Sequence, residues 1–203
     1  MNRSGLRKHL LDTRMALSTV ERDAQDFFIA RHLRAHLLSE AVPRPGKIGG
    51  YWPIRNEPNL HALLIELELS GFEIGLPAIV SNDQPLRFLH WHSDRPLVTG
   101  PLGIPIPEKS LELVPDILLV PCLGFFIGAD GRRFRLGYGG GFYDRTLAAR
   151  PTPAVGIAYE CSRNAAAEAP DPADTHDAAV PIGFTPAAHD VPMTAIVTES
   201  GIF

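Results

Sequence analysis

The sequence predicts an α/β protein of three layers, α/β/α, built on an open, mostly parallel central sheet. Three observations lead there. Strand-like apolar runs alternate with segments of helical period. Residues 117–120, Ile-Leu-Leu-Val, form a continuous apolar run fenced by Pro115 and Pro121, as a strand covered on both faces requires. Finally, 18 glycines and 19 prolines in 203 residues supply frequent turns and disfavour long helical bundles. With 45% hydrophobic and 21% charged residues the composition is that of a globular chain, and residues 1–203 are expected to form one domain.

Residues 4–16 suit a short helix. Ser18 and Glu21 form a capping box for the next, whose expected inward stripe is Val20, Ala24, Phe27, Ala30, Leu33 and Leu37, spaced by three and four. Pro43, Pro45 and Gly46 end it. Residues 47–52 then read as a strand, and Asn59 as the cap of a helix with apolar face Leu60, Leu63, Leu64 and Leu67. Gly71 closes that helix, and residues 72–80 return as a strand with Pro77 near its end, which makes a β-α-β unit. Residues 86–91 predict another strand, and residues 96–107 a Pro/Gly-rich surface connection outside the sheet. Residues 122–141 read as a loop leading into a helix over Phe142–Ala149, and residues 154–159 and 195–198 as the last strands. Residues 163–188, rich in Ala, Pro and Asp, read as an insertion or long loop.

A net charge of −4 gives no overall attraction to nucleic acid or anionic lipid. No run of about 18 apolar residues predicts a membrane span, and Arg3, Arg7 and Lys8 interrupt any signal-peptide core. The expectation is a cytoplasmic protein with small-molecule substrates and no nucleic-acid or membrane partner, a monomer or weak homodimer. Cys122 and Cys161 are too few and too far apart for a disulfide framework or zinc site and are expected to be buried free thiols. His90 and His92 share a face, as a metal pair would, but lack a third ligand at suggestive spacing and read as surface or half-buried histidines. Charge is local: Arg3, Arg7, Lys8 and Arg14 outnumber Asp12 near the start, and Arg132, Arg133, Arg135, Arg145 and Arg150 outnumber Asp144 near the predicted helix. Two basic segments can therefore meet one anionic ligand.

The segment RLGYGGGFYDR, residues 135–145, follows the buried strand, where open α/β sheets bind ligands. Gly137, Gly139, Gly140 and Gly141 let successive backbone N–H groups approach a phosphate, and the following helix directs its positive end at the same anion. Arg135 and Arg145 add charge, while Asp144 can reach a magnesium ion, which is commonly held by one or two carboxylates plus phosphate oxygens. The segment is not a Walker loop, since the Lys109-Ser110 pair follows Glu108, and it is not a dinucleotide fingerprint, since Phe142 stands where the third glycine is needed.

RLGYGGGFYDR, preceded by LLVPCLGF, resembles the signature of the 5-formyltetrahydrofolate cyclo-ligase family, also called 5,10-methenyltetrahydrofolate synthetases. The resemblance extends to residues 3–7, to YWPIRNE at 51–57, to GIPIP at 103–107 and to residues 189–192. It implies an α/β/α fold and a magnesium-dependent, ATP-driven cyclisation of 5-formyltetrahydrofolate to 5,10-methenyltetrahydrofolate, through a phosphorylated formyl group, with release of ADP and phosphate. It places ATP on Arg3, Arg7, Arg135, Leu136, Gly137, Tyr138, Gly139, Gly140, Gly141, Phe142 and Tyr143. Catalytic roles fall to Arg135, Tyr143 and Asp144. The folate falls on Trp52 and Glu57, and magnesium on Asp144 and Asp190, with Asp177 as the rival to Asp190. Three features depart from the family pattern. Arg3 stands where lysine is usual, Phe125-Phe126-Ile127 lengthens the turn before Arg135, and Thr194 replaces the acidic residue expected after Asp190. A folate- or nucleotide-binding homologue that has lost the chemistry is the alternative these departures leave open.

Overall fold

The structure is a computed structural model that describes residues 2–39, 46–128, 130–164, 186–187 and 190–203. Most of the expected insertion at 163–188, together with Asp177, lies outside the described residues.

The parallel centre of the sheet grows from β1 (Lys47–Gly49), α3 (His61–Leu69) and β2 (Glu73–Ala78), the expected β-α-β unit, with β1 and β2 in parallel register. Gly71, at φ +91°, ends α3, and Leu60, Leu63, Leu64 and Leu67 are all buried as anticipated. Asn59 contributes a side-chain acceptor to His61 N–H (3.0 Å), although Leu60 holds the cap position itself. β7 (Ile117–Pro121) lies beside β1, and Asp116 fastens the two by accepting from Gly46 and Lys47 N–H at 2.9 and 2.8 Å. β10 (Ala154–Ile157) and β11 (Ala195–Thr198) extend the parallel run. β3 (Arg87–Trp91), β6 (Glu112–Leu113) and β12 (Gly201–Ile202) add antiparallel edges. Among the described residues the order is β12-β11-β10-β7-β1-β2-β3-β6. Pro77 is tolerated in β2 because pairing with β1 stops at Gly75, so no ladder donor is lost there.

Side chains alternate across this sheet into two cores, which confirms the three-layer expectation. Ile48, Ile74, Leu119, Val155 and Val197 pack with α2 (Thr19–Leu37) and α3. Leu118, Val120 and Ile196 pack on the other face with Leu147 of α4 (Phe142–Ala149). Every position of 117–120 is buried, as a doubly covered strand demands.

Several elements differ from expectation. The Ser18–Glu21 capping box forms, with Ser18 N–H donating to Glu21 at 2.8 Å and Glu21 N–H to Ser18 at 3.2 Å. However, the buried face of α2 is Ile29, Leu33 and Leu37, while Val20 and Phe27 are 80% and 65% exposed. Two polar anchors set that rotation: Tyr159 O–H donates to Asp26 at 2.7 Å, and His32 Nδ1 donates to the Thr198 carbonyl at 3.0 Å. Residues 96–107 stay outside the main sheet but pair with each other, as β4 (Leu97–Thr99) and β5 (Pro105–Pro107). The expected loop at 122–141 contains a hairpin of β8 (Gly124–Ile127) and β9 (Arg133–Leu136). Phe125 of this hairpin faces the sheet core, whereas Phe126 and Phe134 meet Leu6 and Leu10 of α1 (Arg3–Ala16). Cys122 is buried as expected, but Cys161 is exposed. Among the described residues no helix is long and apolar enough to cross a membrane.

Candidate active site

A cavity of about 820 Å³ opens beyond the carboxyl ends of β1, β2 and β7, a volume within the usual range for small-molecule sites. Arg3 and Arg7 of α1, Trp52 and Glu57 from the loop after β1, the β9–α4 segment and Asp190 all line it. The ribbon tip and the apolar end of β2 close another side, through Leu102, Ile104, Ile106 and Pro77.

The first end of the cavity is built for an anion. Gly141 caps α4 in the left-handed conformation (φ +69°), and no side chain caps the helix, in contrast to the boxed start of α2. The first-turn N–H groups of α4 are therefore left for a ligand. Gly139, at φ +97°, lies so close to Arg7 that a Cβ there would sit 3.3 Å from the guanidinium carbon. Arg7 also donates to the Gly137 carbonyl at 2.9 Å, so α1 braces the glycine bend directly. Arg135 is buried; its Nη2 donates to Asp144 at 2.7 Å, while its Nε finds no hydrogen-bond acceptor among the described residues. That orphaned donor suits a phosphoryl oxygen. Arg145 acts differently from a free cation, since its Nη2 is occupied by the carbonyls of Asn82 (2.7 Å) and Gly140 (2.9 Å). It holds the bend in place. Tyr143 lies within 5.5 Å of the Arg135 guanidinium, and burial pushes its phenol well above the ordinary value, so it stays a neutral donor.

At the other end, Trp52 is half-buried and stacks obliquely on His61, centroids 5.2 Å apart. Glu57 is only 4% exposed and accepts from Ile54 N–H at 3.0 Å. Burial pushes the Glu57 carboxyl up to about 6, against the lowering effects of that hydrogen bond, Arg14, Tyr138 and Arg55. An aromatic face beside a dry carboxylate can hold a flat heterocycle with N–H donors.

The two expected metal carboxylates share the cavity wall. Asp144 pairs with Arg135, and Asp190 with Arg3 and with Ala187 N–H at 2.6 Å. Hard oxygen donors are the class magnesium takes, and the two carboxylates would fit such an ion provided phosphate oxygens supplied the remaining ligands. Among the described residues no group of three or more His, Cys, Asp or Glu side chains could hold a metal. His90 and His92 contact each other at 4.4 Å, and His92 pairs with Glu68 at 3.0 Å, a local contact rather than a ligand set.

A family model described as the 5-formyltetrahydrofolate cyclo-ligase family matches residues 1–199. The chain belongs to the 5-formyltetrahydrofolate cyclo-ligase family. A 5-formyltetrahydrofolate cyclo-ligase from Mycolicibacterium smegmatis is 33% identical over 196 residues, 91% of this chain and 94% of the relative. One from Mycoplasma pneumoniae is 32% identical over 167 residues, 78% and 86%. Among solved structures, a 5,10-methenyltetrahydrofolate synthetase from Mycoplasma pneumoniae matches with TM-score 0.70 at 26% identity, over 98% of this chain and 99% of that one. The corresponding protein from Aquifex aeolicus matches with TM-score 0.75 at 27% identity, over 100% and 92%.

For this cyclo-ligase family member, the cavity gathers Arg3, Arg7, Trp52, Glu57, Asp144, Asp190 and all of 135–143 on one wall system. Thr194 has a structural task instead of an acidic one. Its hydroxyl accepts from Ala154 N–H at 3.1 Å, tying β10 to the approach to β11. The residue that sequence reasoning missed is Arg14, 1% exposed, which donates to the carbonyls of Arg55 (3.1 Å) and Cys122 (3.4 Å) and to the Tyr138 hydroxyl. It lies seven residues after Arg7, on the same helical face, but nothing in the sequence marks it as the buried one.

Proposed function

We propose that this chain catalyses the ATP-driven cyclisation of 5-formyltetrahydrofolate to 5,10-methenyltetrahydrofolate, with release of ADP and phosphate. The observation that carries the reading is the union, in one cavity, of an uncapped helix start under a glycine bend with a dry carboxylate beside an aromatic face. The first suits a triphosphate and the second a pterin.

A formamide oxygen is a poor leaving group, and phosphorylation makes it a good one. The formyl oxygen attacks the γ-phosphorus; that P–O bond forms as the bond to ADP breaks, and ADP leaves with the electron pair. The resulting iminium carbon is attacked by N10, whose proton passes to solvent. The C–O bond then breaks and phosphate departs, leaving the methenyl bridge. No protein nucleophile is needed, so the chain acts by positioning and by neutralising charge. Arg3, Arg7, Arg135 and the glycine N–H groups bind and orient the phosphates. Tyr143 donates from a neutral phenol. Trp52 and Glu57 hold the pterin so that the formyl group faces the phosphates. Asp144 and Asp190 would hold magnesium, whose charge would offset that of the triphosphate.

The test is to mix the protein with 5-formyltetrahydrofolate and Mg-ATP and follow methenyl absorbance and ADP together. One ADP per methenyl formed, and no rise without ATP, is expected. Tight folate binding with no ADP would establish the non-catalytic homologue instead.

A further inference from the structure

The buried polar atoms between the two ends of the cavity form a connection that the reaction as described does not use. Arg14 reaches from α1 to the Tyr138 hydroxyl, and Tyr138 belongs to the glycine bend, between Gly137 and Gly139. Tyr138 and Glu57 line the same cavity wall, and each shifts the other: the hydroxyl favours the ionised carboxylate, and the carboxylate holds the phenol neutral, pushed up to about 12 mainly by burial. The guanidinium groups of Arg14 and Arg55 lie 5.5 and 5.2 Å from the centre of the Tyr138 ring. Arg55 and its neighbour Asn56 adopt left-handed backbone at φ +48° and +56°, and Arg14 accepts no freedom there, because it holds the Arg55 carbonyl at 3.1 Å. The charged and titratable groups around Glu57 are thus Arg14 from α1, Arg55 from its own loop, Tyr138 from the bend, Tyr51 after β1, Cys122 after β7 and Tyr143 from α4.

We propose that Arg14 and Tyr138 are positioning residues that tie the nucleotide bend to the folate carboxylate, so that each substrate raises the affinity of the other. This rests on the assignment of the two ends given above. The physical route is short. Arg14 donates to the Tyr138 oxygen and to the Arg55 carbonyl, two residues before Glu57, so one guanidinium holds the bend and the folate loop together. A pterin that engages Glu57 steadies the loop whose Arg55 carbonyl Arg14 holds, and so steadies Arg14 against Tyr138. The seated tyrosine then adds a third hold on the glycine bend, beside those of Arg7 at the Gly137 carbonyl and Arg145 at the Gly140 carbonyl. The two states are the tyrosine seated and unseated. Folate favours the first through Glu57, and nucleotide favours it through the bend, so the coupling is reciprocal.

The experiment is calorimetric. The affinity of a non-hydrolysable ATP analogue with magnesium is measured with and without saturating 5-formyltetrahydrofolate, for the wild type, Tyr138→Phe and Arg14→Lys. In the wild type the folate is expected to raise analogue affinity at least about fivefold, the lower end of ordinary coupling. In Tyr138→Phe, which keeps the ring and loses only the hydroxyl, each ligand still binds and the ratio falls below about twofold. Arg14→Lys falls between. A purely structural role would lower both affinities or the thermal midpoint and leave the ratio intact. A ratio of one in the wild type, or an undiminished ratio in Tyr138→Phe, overturns the proposal. Should neither ligand bind the wild type, it is the functional assignment that fails, and the coupling fails with it.

Discussion

A carboxyl beside arginines gains from ionising and loses from burial, and at Glu57 burial wins, which leaves it at about 6. Because the folded-state value lies above the unfolded 4.5, Glu57 stabilises the fold only while protonated. That contribution is present below about 4.5 and is lost as pH rises through 6. At neutral pH the ionised group therefore costs about 2 kcal/mol of fold stability. Glu57→Gln is expected to raise the thermal midpoint of the ligand-free protein by a few degrees at pH 8, and not at pH 4.5, in scanning calorimetry. If Glu57 holds the pterin as proposed, the same substitution removes charged hydrogen bonds to it and should raise the folate KM about 10- to 100-fold, with a much smaller effect on ATP. A midpoint lowered at pH 8 would show that Glu57 is a structural group. For the wild type, folate affinity should fall about tenfold between pH 7.5 and 5, because only the ionised fraction accepts pterin N–H donors. A flat profile over that range would remove Glu57 from the folate end.

Elements were legible where one physical requirement dominated. The doubly buried run at 117–120, the β1-α3-β2 unit and the capping box of α2 each follow from a local pattern, and each is present. The rotation of α2 was not legible, because its apolar residues admit two faces and the choice is made by Asp26 and His32 reaching distant partners. Ile29→Ala should therefore cost about 2–5 kcal/mol in denaturant unfolding, and Phe27→Gln less than about 0.5. The reverse order would mean the helix is turned the other way. The β8–β9 hairpin was hidden because Phe125 and Phe126 are both buried, one toward the sheet and one toward α1, so no alternation of apolar and polar residues marks it. β6 and β12, two residues each, exist only through their pairing partners. Around the site, the glycine bend could be read from residue type and spacing, while Arg3, Arg7 and Glu57 came only with the family resemblance; Arg14 came with neither, because an arginine inside a basic helix gives no sign that it is the one buried. The glycine bend itself is open to test. Gly139→Ala places a side chain at φ +97° and against Arg7, and should raise the ATP KM about tenfold. An unchanged ATP KM would show that the bend does not hold the nucleotide.

For the molecule as a whole, the sheet brings loops that are distant in sequence to one rim. The loop after β1 carries Trp52 and Glu57, the hairpin carries Arg135 in from the far side, and α1 lies across the hairpin so that Arg3, Arg7 and Arg14 all point to the rim. A helix N-terminus and clustered arginines concentrate positive charge at this rim, and the pairs Arg135–Asp144 and Arg3–Asp190 offset part of it. The proposed cyclisation requires the formyl oxygen to meet the γ-phosphoryl group inside this cavity. The most direct measurement supplies 5-formyltetrahydrofolate labelled with heavy oxygen in the formyl group, together with Mg-ATP, and finds the label by mass spectrometry after turnover. The label is expected in inorganic phosphate, one atom per turnover; label released as water would show that the formyl oxygen never joins the γ-phosphorus.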